Sequence, residues 1–333
     1  MIPVFLITVD TEGDNLWARP REITTRNAEY LPRFQELCER YGLRPTYLVT
    51  YEMAISPAFR EFGRDVLRRN TAEIGAHPHA WNNPPLVSLT PDDLHHQPYL
   101  FEYPEPVMEQ KIRVLTQVLE DTFGVKMRSH RAGRWGFNET YARLLVRHGY
   151  LVDCSVTPHL SWRRHLGAPQ GTGGPDYRRF PEDPYYVDLE DVSRPGNSTL
   201  MEVPVTVVPS GPSALRPWRE RLNSVPLARR LLHRFWPSVH WLRPDRRNLP
   251  HMLRIVRRAA HEGCVHLEFM VHSSELMPGG SPLFPTREHI EHLYRDLEVL
   301  FERASRTCRP ATLSEFYEMY RVQARNPLRS KGR

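Results

Sequence analysis

The sequence predicts an α/β fold in which a parallel sheet is covered by helices. Short apolar runs typical of buried strands, such as FLITV at residues 5–9 and VHLEFMV at 265–271, alternate with helical patterns along most of the 333 residues. This alternation indicates parallel strands, because each crossover between them is usually a helix. At least six strands are predicted and no glycine-rich nucleotide fingerprint accompanies them, which favours a barrel over a dinucleotide-binding fold.

Helical spacing of apolar residues predicts the crossover helices. In the first, at residues 28–41, Leu31, Phe34 and Leu37 share one face, and Gly42 supplies a stop signal. The same criterion predicts further helices at 57–69, 106–123, 139–148, 250–262, 287–303 and 314–321. Apolar runs predict the remaining strands at 45–50, 73–77, 126–130, 151–156 and 200–208.

Three segments interrupt this alternation. Residues 161–197 are rich in Pro, Gly, Asp and Arg, which predicts a long irregular loop. A basic, aromatic-rich insertion is expected at about 210–248, and the polar tail 323–333 is expected to be frayed. The remainder is expected to form a single barrel domain over residues 1–322.

The positive charge of the chain is concentrated in and around the insertion. The whole chain carries +6, whereas residues 213–258 hold twelve arginines against two acids, which is +10. One interpretation is a helical flap over the barrel mouth. Another is peripheral contact of residues 216–247 with an anionic membrane, which requires leucine and aromatic side chains opposite cations. No nucleic-acid partner is expected, because no recognised binding fold or stacking motif is present.

The location of the protein is expected to be cytoplasmic, and peripheral at the inner face of the membrane if the insertion docks there. The N-terminal apolar run lacks a positive flank and is too short for a signal peptide, and no apolar stretch is long enough to span a bilayer. Four scattered cysteines without a CxxC pair are typical of isolated reduced thiols.

Chemically active side chains follow four predicted strands, at the point where each strand ends. They are Asp10 and Glu12 after FLITV, His77 and His79 after EIGA, Arg131 after KMRSH, and His272 after LEFMV. Each one alone fits an ordinary structural role, such as a turn former, an ion-pair partner or a buried histidine. In a parallel barrel, however, these strand ends converge on one face, so that together they indicate a catalytic site.

One carboxylate and two neutral imidazoles are the ligand set of a hydrolytic zinc-type site that leaves a coordination position for water. Glu12, His77 and His79 are therefore the expected metal ligands. Asp10 is the expected base that takes the proton from water, and His272 is the acid that protonates a leaving amine. The arginine after KMRSH would keep the base ionised, because a nearby cation favours the carboxylate form.

Four motifs resemble those of the NodB-like polysaccharide deacetylases, a family of carbohydrate esterases. They are TVDTEGD at 8–14, EIGAHPHAW at 73–81, RAGRWGFN at 131–138 and FMVHSSE at 269–275, in the family's order between about residues 4 and 320. The resemblance implies a distorted, incomplete (β/α) barrel and one divalent metal ion, commonly zinc. It also implies removal of acetyl from an N-acetyl sugar, a hydrolysis of a non-peptide C–N amide bond, with Arg131 in contact with the base.

The sequence departs from the family pattern at three positions. The second of two adjacent Asp in the first motif is Thr11 here, which moves the metal role to Glu12, as in the Asp-x-Asp/Glu branch, with Asp14 as the fallback. The second motif usually spaces its histidines four apart, and His79, two along, is the available substitute. Glu202 lies in the strand that carries the family's acid-tuning Asp and is the candidate for that role.

The expected substrate is an acetylated amino sugar held by Trp81, Trp135 and Ser273. A cytoplasmic member would not act on finished wall polymer, so a nucleotide- or lipid-linked intermediate of surface-polysaccharide biosynthesis is expected. Two alternatives remain open: hydrolysis of another small amide, such as a formamido sugar, and a catalytically inactive barrel that binds a glycan or a partner.

Overall fold

The computed structural model describes residues 2–210 and 239–325. The strands in these ranges are β1 (Val4–Thr11), β2 (Pro45–Val49), β3 (Glu73–Ala76), β4 (Ser129–His130), β5 (Val152–Asp153), β6 (Tyr185–Asp188), β7 (Asp191–Pro195), β8 (Met201–Glu202), β9 (Val207–Pro209), β10 (Val239–Trp241), β11 (His266–His272) and β12 (Arg309–Pro310). Ten of them form one curled sheet in the order β11–β1–β2–β3–β4–β5–β8–β6–β7, with β12 paired to the start of β1.

The strands from β11 to β8 in this order pair in parallel, and only β6 and β7 are antiparallel in the described part of the sheet. Their carboxyl ends therefore meet at one edge, where β1 ends in acids and β11 ends in a histidine. Two backbone hydrogen bonds, from Thr206 N to the Glu268 carbonyl and from Met270 N to the Leu242 carbonyl, connect the chain after β8 to β11 in place of a full ladder. The predicted fold class, an incomplete (β/α) barrel, is confirmed.

Helices cover the sheet, and their ends follow ordinary capping rules. They are α1 (Leu31–Arg40), α2 (Tyr51–Ile55), α3 (Pro57–Arg68), α4 (Asp93–His96), α5 (Glu105–Phe123), α6 (Glu139–Arg147), α7 (Leu249–Glu262), α8 (Arg287–Thr307) and α9 (Leu313–Arg325). Helix α6 begins where the Asn138 side chain accepts a hydrogen bond from Tyr141 N. Helices α5 and α7 end at Gly124 and Gly263, whose φ angles of 68° and 71° suit glycine.

The apolar core fills the space between the sheet and these helices. All eight residues of β1 are buried, although three of them, Thr8, Asp10 and Thr11, are polar. The four cysteines form no disulfide, as predicted; Cys264 is the one that is partly exposed.

Most predicted elements are confirmed, and two predictions are wrong. Residues 161–197 are not irregular throughout, because they contain the β6–β7 hairpin, in which Tyr185, Val187 and Val192 are buried. Residues 200–208 are not one strand but the two short strands β8 and β9. Pro204 lies between them, and a proline has no N–H to donate to a ladder.

Most of the basic insertion, residues 211–238, lies outside the described residues. The predictions of a flap and of membrane contact therefore remain predictions. None of the helices in residues 2–210 and 239–325 combines the length and the apolar content needed to cross a membrane.

A buried lysine anchors residues 80–85, at the end of the EIGAHPHAW motif and just after it. Lys111, on α5, is 0% exposed, and its ammonium donates to the carbonyls of Ala80, Asn83 and Pro85 at 2.6–2.8 Å. A lysine is rarely buried unless its charge is compensated, and here each of its three N–H groups has an acceptor.

We expect Lys111→Met to lower the free energy of unfolding by about 2–4 kcal/mol, because three buried carbonyls lose their donor. Urea unfolding followed by circular dichroism measures the change. Lys126→Met is the matched control: its side chain is 80% exposed and pairs with Glu120, so a change below about 1 kcal/mol is expected. Equal effects of the two substitutions would contradict a special role for Lys111.

Candidate active site

Three buried side chains from the ends of β1 and β3 form a cluster that could hold a metal ion. The candidate ligand atoms of Glu12, His77 and His79 all lie within 4.8 Å of one another. The distances are 3.2 Å between the two histidine Nε2 atoms, 3.4 Å from His79 Nε2 to Glu12 Oε2, and 3.9 Å from His77 Nε2 to the same oxygen. Ligand atoms placed tetrahedrally around one zinc ion lie about 3.4 Å apart, so that these side chains fit a divalent ion.

The orientation of His77 also suits a ligand. Its Nδ1–H donates to the Arg131 carbonyl at 2.9 Å, which leaves Nε2 with a lone pair that faces the cluster. Burial lowers the pKa of His77 to about 4 and that of His79 well below its usual range, so both rings are neutral, as metal binding requires. His79 Nδ1 is buried and has no partner among the described residues.

Close packing positions the His79 ring. Trp81 stacks on it with ring centroids 4.5 Å apart. On another side, a Cβ at Gly133 would stand 2.5 Å from His79 Cδ2 and 2.6 Å from the Pro78 carbonyl, so only glycine fits there. Gly133 and Trp81, which belong to two different sequence motifs, therefore both help to position the His79 ring.

The backbone around Glu12 is positioned by hydrogen bonds from three other segments. Glu12 N donates to Ser273 Oγ at 3.1 Å, and Asn27 Nδ2 donates to the Glu12 carbonyl at 2.9 Å. The Glu52 carboxylate accepts from Gly13 N and from Asn82 Nδ2, each at 2.9 Å, and so connects the two loops that carry the ligands. Burial raises the pKa of Glu12 well above its usual range, and neighbouring carboxylates add to the effect. A cation bound beside this carboxylate would favour its ionised form.

The predicted base lies beside this cluster and is paired with a buried arginine. Arg131 is 0% exposed, and its guanidinium donates to Asp10 and Glu268, and to Thr8 Oγ1 at 2.9 Å. Burial raises the pKa of Asp10, but the Arg131 charge, with His77, outweighs burial and holds the pKa below its usual range. Asp10 is thus kept ionised, which is the state a base needs.

The predicted acid faces the base across the site. His272 Nε2 lies 3.7 Å from Asp10 Oδ2 and 4.0 Å from Glu12 Oε1. Its Nδ1 lies 3.2 Å from Glu275 Oε2 and 3.1 Å from Arg243 Nη2. The contact with Glu275 needs a proton on Nδ1, whereas the contact with Arg243 needs Nδ1 unprotonated. Only one of the two can therefore be a hydrogen bond in a given tautomer.

The carboxylate that accompanies the acid histidine is Glu275, and the expectation of Glu202 is wrong. Burial raises the pKa of Glu275, but Arg243 and His272 outweigh it and bring the pKa to about 2. Glu202 instead accepts a hydrogen bond from Val156 N at 2.9 Å, and burial beside Asp153 raises its pKa.

Two further expectations need correction. Asp14, the fallback ligand, lies outside the metal cluster; its carboxylate accepts hydrogen bonds from Thr24, Arg26 and Asn27 at 2.7–3.0 Å and so stabilises the following turn. Ser273 was expected to contact substrate, but it is 0% exposed and its hydroxyl is occupied by the Glu12 backbone. It positions a ligand instead.

A pocket of about 330 Å³ opens onto these residues. Trp81 and Trp135 lie in its lining, as expected for substrate contacts, together with Trp17, Trp162 and Arg243, which the sequence analysis did not identify. Glu275 had a detectable signal, because it is the third residue after the acid histidine within a motif already identified. For Trp17, Trp162 and Arg243 no sequence motif indicated a place in the pocket, since they lie in loops whose path depends on the whole fold.

Comparison with solved structures adds to this geometry. A candidate polysaccharide deacetylase from Mycobacterium smegmatis matches with a TM-score of 0.56 and 16% identity, over 97% of this chain and 91% of its own. The chain has the polysaccharide deacetylase fold. A candidate glycoside hydrolase/deacetylase from Parabacteroides distasonis matches this deacetylase fold with a TM-score of 0.57 and 12% identity, over 96% and 71% of the two chains. No protein-family model and no curated protein matches the sequence.

We expect His77→Ala to abolish stoichiometric binding of a divalent metal, because one of three ligands is lost. The loss of metal affinity should exceed the roughly 10- to 100-fold loss that is typical when a residue hydrogen-bonded to a metal ligand is replaced. Equilibrium dialysis with elemental analysis measures it, and His79→Ala tests the second imidazole separately.

His292→Ala is the control for this experiment, because His292 is half exposed on α8 and pairs with Asp296. It should bind metal as the wild type does. A full equivalent of tightly bound metal in folded His77→Ala would disprove the ligand assignment.

Proposed function

We propose that this protein is a metal-dependent hydrolase that removes an N-acetyl group from an amino sugar. One observation carries the proposal: an ionised carboxylate and a histidine face each other at 3.7 Å beside a three-ligand cluster. The deacetylase fold supports it, because the fold gathers these groups at the carboxyl ends of its strands.

The ion that we propose is zinc, since two imidazoles and one carboxylate are ligands that zinc commonly takes. When bound, such an ion polarises the amide carbonyl and makes water more acidic. Glu12, His77 and His79 would hold it.

Asp10 then accepts the proton from the attacking water as the C–O bond forms. Arg131 keeps this carboxylate ionised and fixes its orientation. His272 donates the proton on Nε2 to the amide nitrogen as the C–N bond breaks, and Glu275 stabilises the ring on its other side. The products are acetate and a free amine, so that one water is consumed per amide.

The substrate that we propose is a nucleotide- or lipid-linked amino sugar. Aromatic side chains in the pocket, among them Trp17, Trp81 and Trp135, offer flat apolar surfaces of the kind that sugar rings contact. Acetate release from a panel of acetylated nucleotide-linked and lipid-linked sugars, with zinc-loaded protein, tests this proposal. Failure to release acetate, with release of formate from a formamido sugar, would identify a different acyl group.

We expect Asp10→Asn to lower kcat by about 10²- to 10⁴-fold, because the base is lost while the metal ligands remain. His272→Ala should lower kcat by a similar factor, because the leaving amine loses its proton donor. Metal content, measured on the same preparations, should stay at the wild-type value. Wild-type kcat in either variant would disprove the acid–base assignment.

A further inference from the structure

Arg243 lies in the wall of the pocket, beside the acid histidine. Its Nη2 donates to Glu275 Oε1 at 2.8 Å and lies 3.1 Å from His272 Nδ1. The Glu275 carboxylate is fully buried, whereas the Arg243 side chain keeps 22% of its surface exposed. The guanidinium is thus held at one end and open to the pocket at the other.

Among the residues that the structure describes, this guanidinium uses only part of its hydrogen-bonding capacity. Arg243 Nε is buried and has no acceptor, and Nη1 makes no hydrogen bond to any residue in 2–210 or 239–325. Arg134, the other arginine in the pocket lining, already donates to the carbonyls of Gln97 and Leu166. Of the two arginines in the described pocket lining, Arg243 is therefore the one with N–H groups available to a ligand.

The backbone of Arg243 is rigidly positioned. Asn248 Nδ2 donates to the Arg243 carbonyl at 2.6 Å. The preceding residue, Leu242, is buried; its N–H donates to the Thr206 carbonyl at 3.0 Å and its carbonyl accepts from Met270 N at 3.2 Å. A group held in this way loses little entropy on binding a ligand.

An exposed aromatic residue adjoins the same histidine. Trp17 contacts the His272 ring edge-on at 4.9 Å, lines the pocket and remains 41% exposed. A tryptophan this exposed at a pocket mouth contributes little to the core, but it can stack on the apolar face of a sugar ring.

We propose that Arg243 and Trp17 form a subsite for an oxyanion carried by the sugar, either a phosphate or a carboxylate. The planar guanidinium fork matches both groups, and charge-assisted bonds of this kind are the stronger ones. The inference rests on the proposed function and deepens it: the preferred substrate is an anionic amino sugar, whose ring lies against Trp17.

Calorimetric titration of the zinc-loaded full chain carrying Asp10→Asn, which should keep the metal and lose turnover, tests this subsite with three probes. They are methyl N-acetylglucosaminide, which is neutral, N-acetylglucosamine 1-phosphate, and N-acetylglucosaminuronic acid. We expect the better of the two anionic probes to bind about 10- to 100-fold more tightly than the neutral one. Whether that probe is the phosphate or the uronate identifies the source of the oxyanion.

Arg243→Gln should bring the ratio of the dissociation constants of the neutral probe and the better anionic probe close to one. Arg243→Lys should keep part of the wild-type ratio, because the charge remains. Arg247→Gln is the matched control, since Arg247 is exposed, lies outside the pocket lining and carries the same charge. It should keep the wild-type ratio. Trp17→Ala should weaken anionic and neutral probes by similar factors.

A wild-type ratio close to one, a ratio that survives Arg243→Gln, or no binding of any probe would overturn the assignment. If Arg243 only supported Glu275 and His272, Arg243→Gln would lower kcat for all probes and leave the ratio unchanged. Acetate release by the corresponding proteins with Asp10 intact reports on the proposed function separately, because the binding ratio is measured without turnover.

Discussion

One buried guanidinium connects the strands that build the site. Arg131 follows β4, and its side chain donates to Asp10 and Thr8 of β1, to Glu268 of β11, and to the Cys154 carbonyl after β5. A buried charge is tolerated only where its partners are complete, and here four groups from three segments supply them. The half-barrel is thus held together at its centre by the same side chain that keeps Asp10, the proposed base, ionised.

The backbone of Arg131 orients a candidate metal ligand, just as its side chain orients the proposed base. The Arg131 carbonyl accepts the Nδ1–H of His77 and so selects the tautomer that presents Nε2 to an ion. Arg131 therefore orients both the proposed base, through its side chain, and the proposed metal ligand His77, through its carbonyl. Cation–π contact between Arg131 and Trp135, at 5.0 Å, extends this arrangement to the pocket wall.

The sequence predicted the residues at strand ends well, because a parallel sheet brings them together whatever the details of the loops. Asp10, Glu12, His77 and His272 do lie together at one edge of the sheet, and their roles remain predictions. Glu275 was missed although it belongs to the same motif as His272, because a glutamate three residues after a histidine has many possible roles until the turn after β11 brings the two side chains together. The β6–β7 hairpin was missed because its strands are short and lie in a segment rich in Pro, Gly, Asp and Arg. Long-range packing of Tyr185, Val187 and Val192 stabilises them.

The antiparallel pairing of β9 with β10 has a consequence for how this protein can change over evolutionary time. Val207 pairs with Trp241, so that the two ends of the intervening segment lie close together. Joining two fixed points by a longer chain costs only about 0.6 kcal/mol more for each doubling of its length. The number of residues between these two strands can therefore change at a small cost in free energy, without a shift in the register of the sheet.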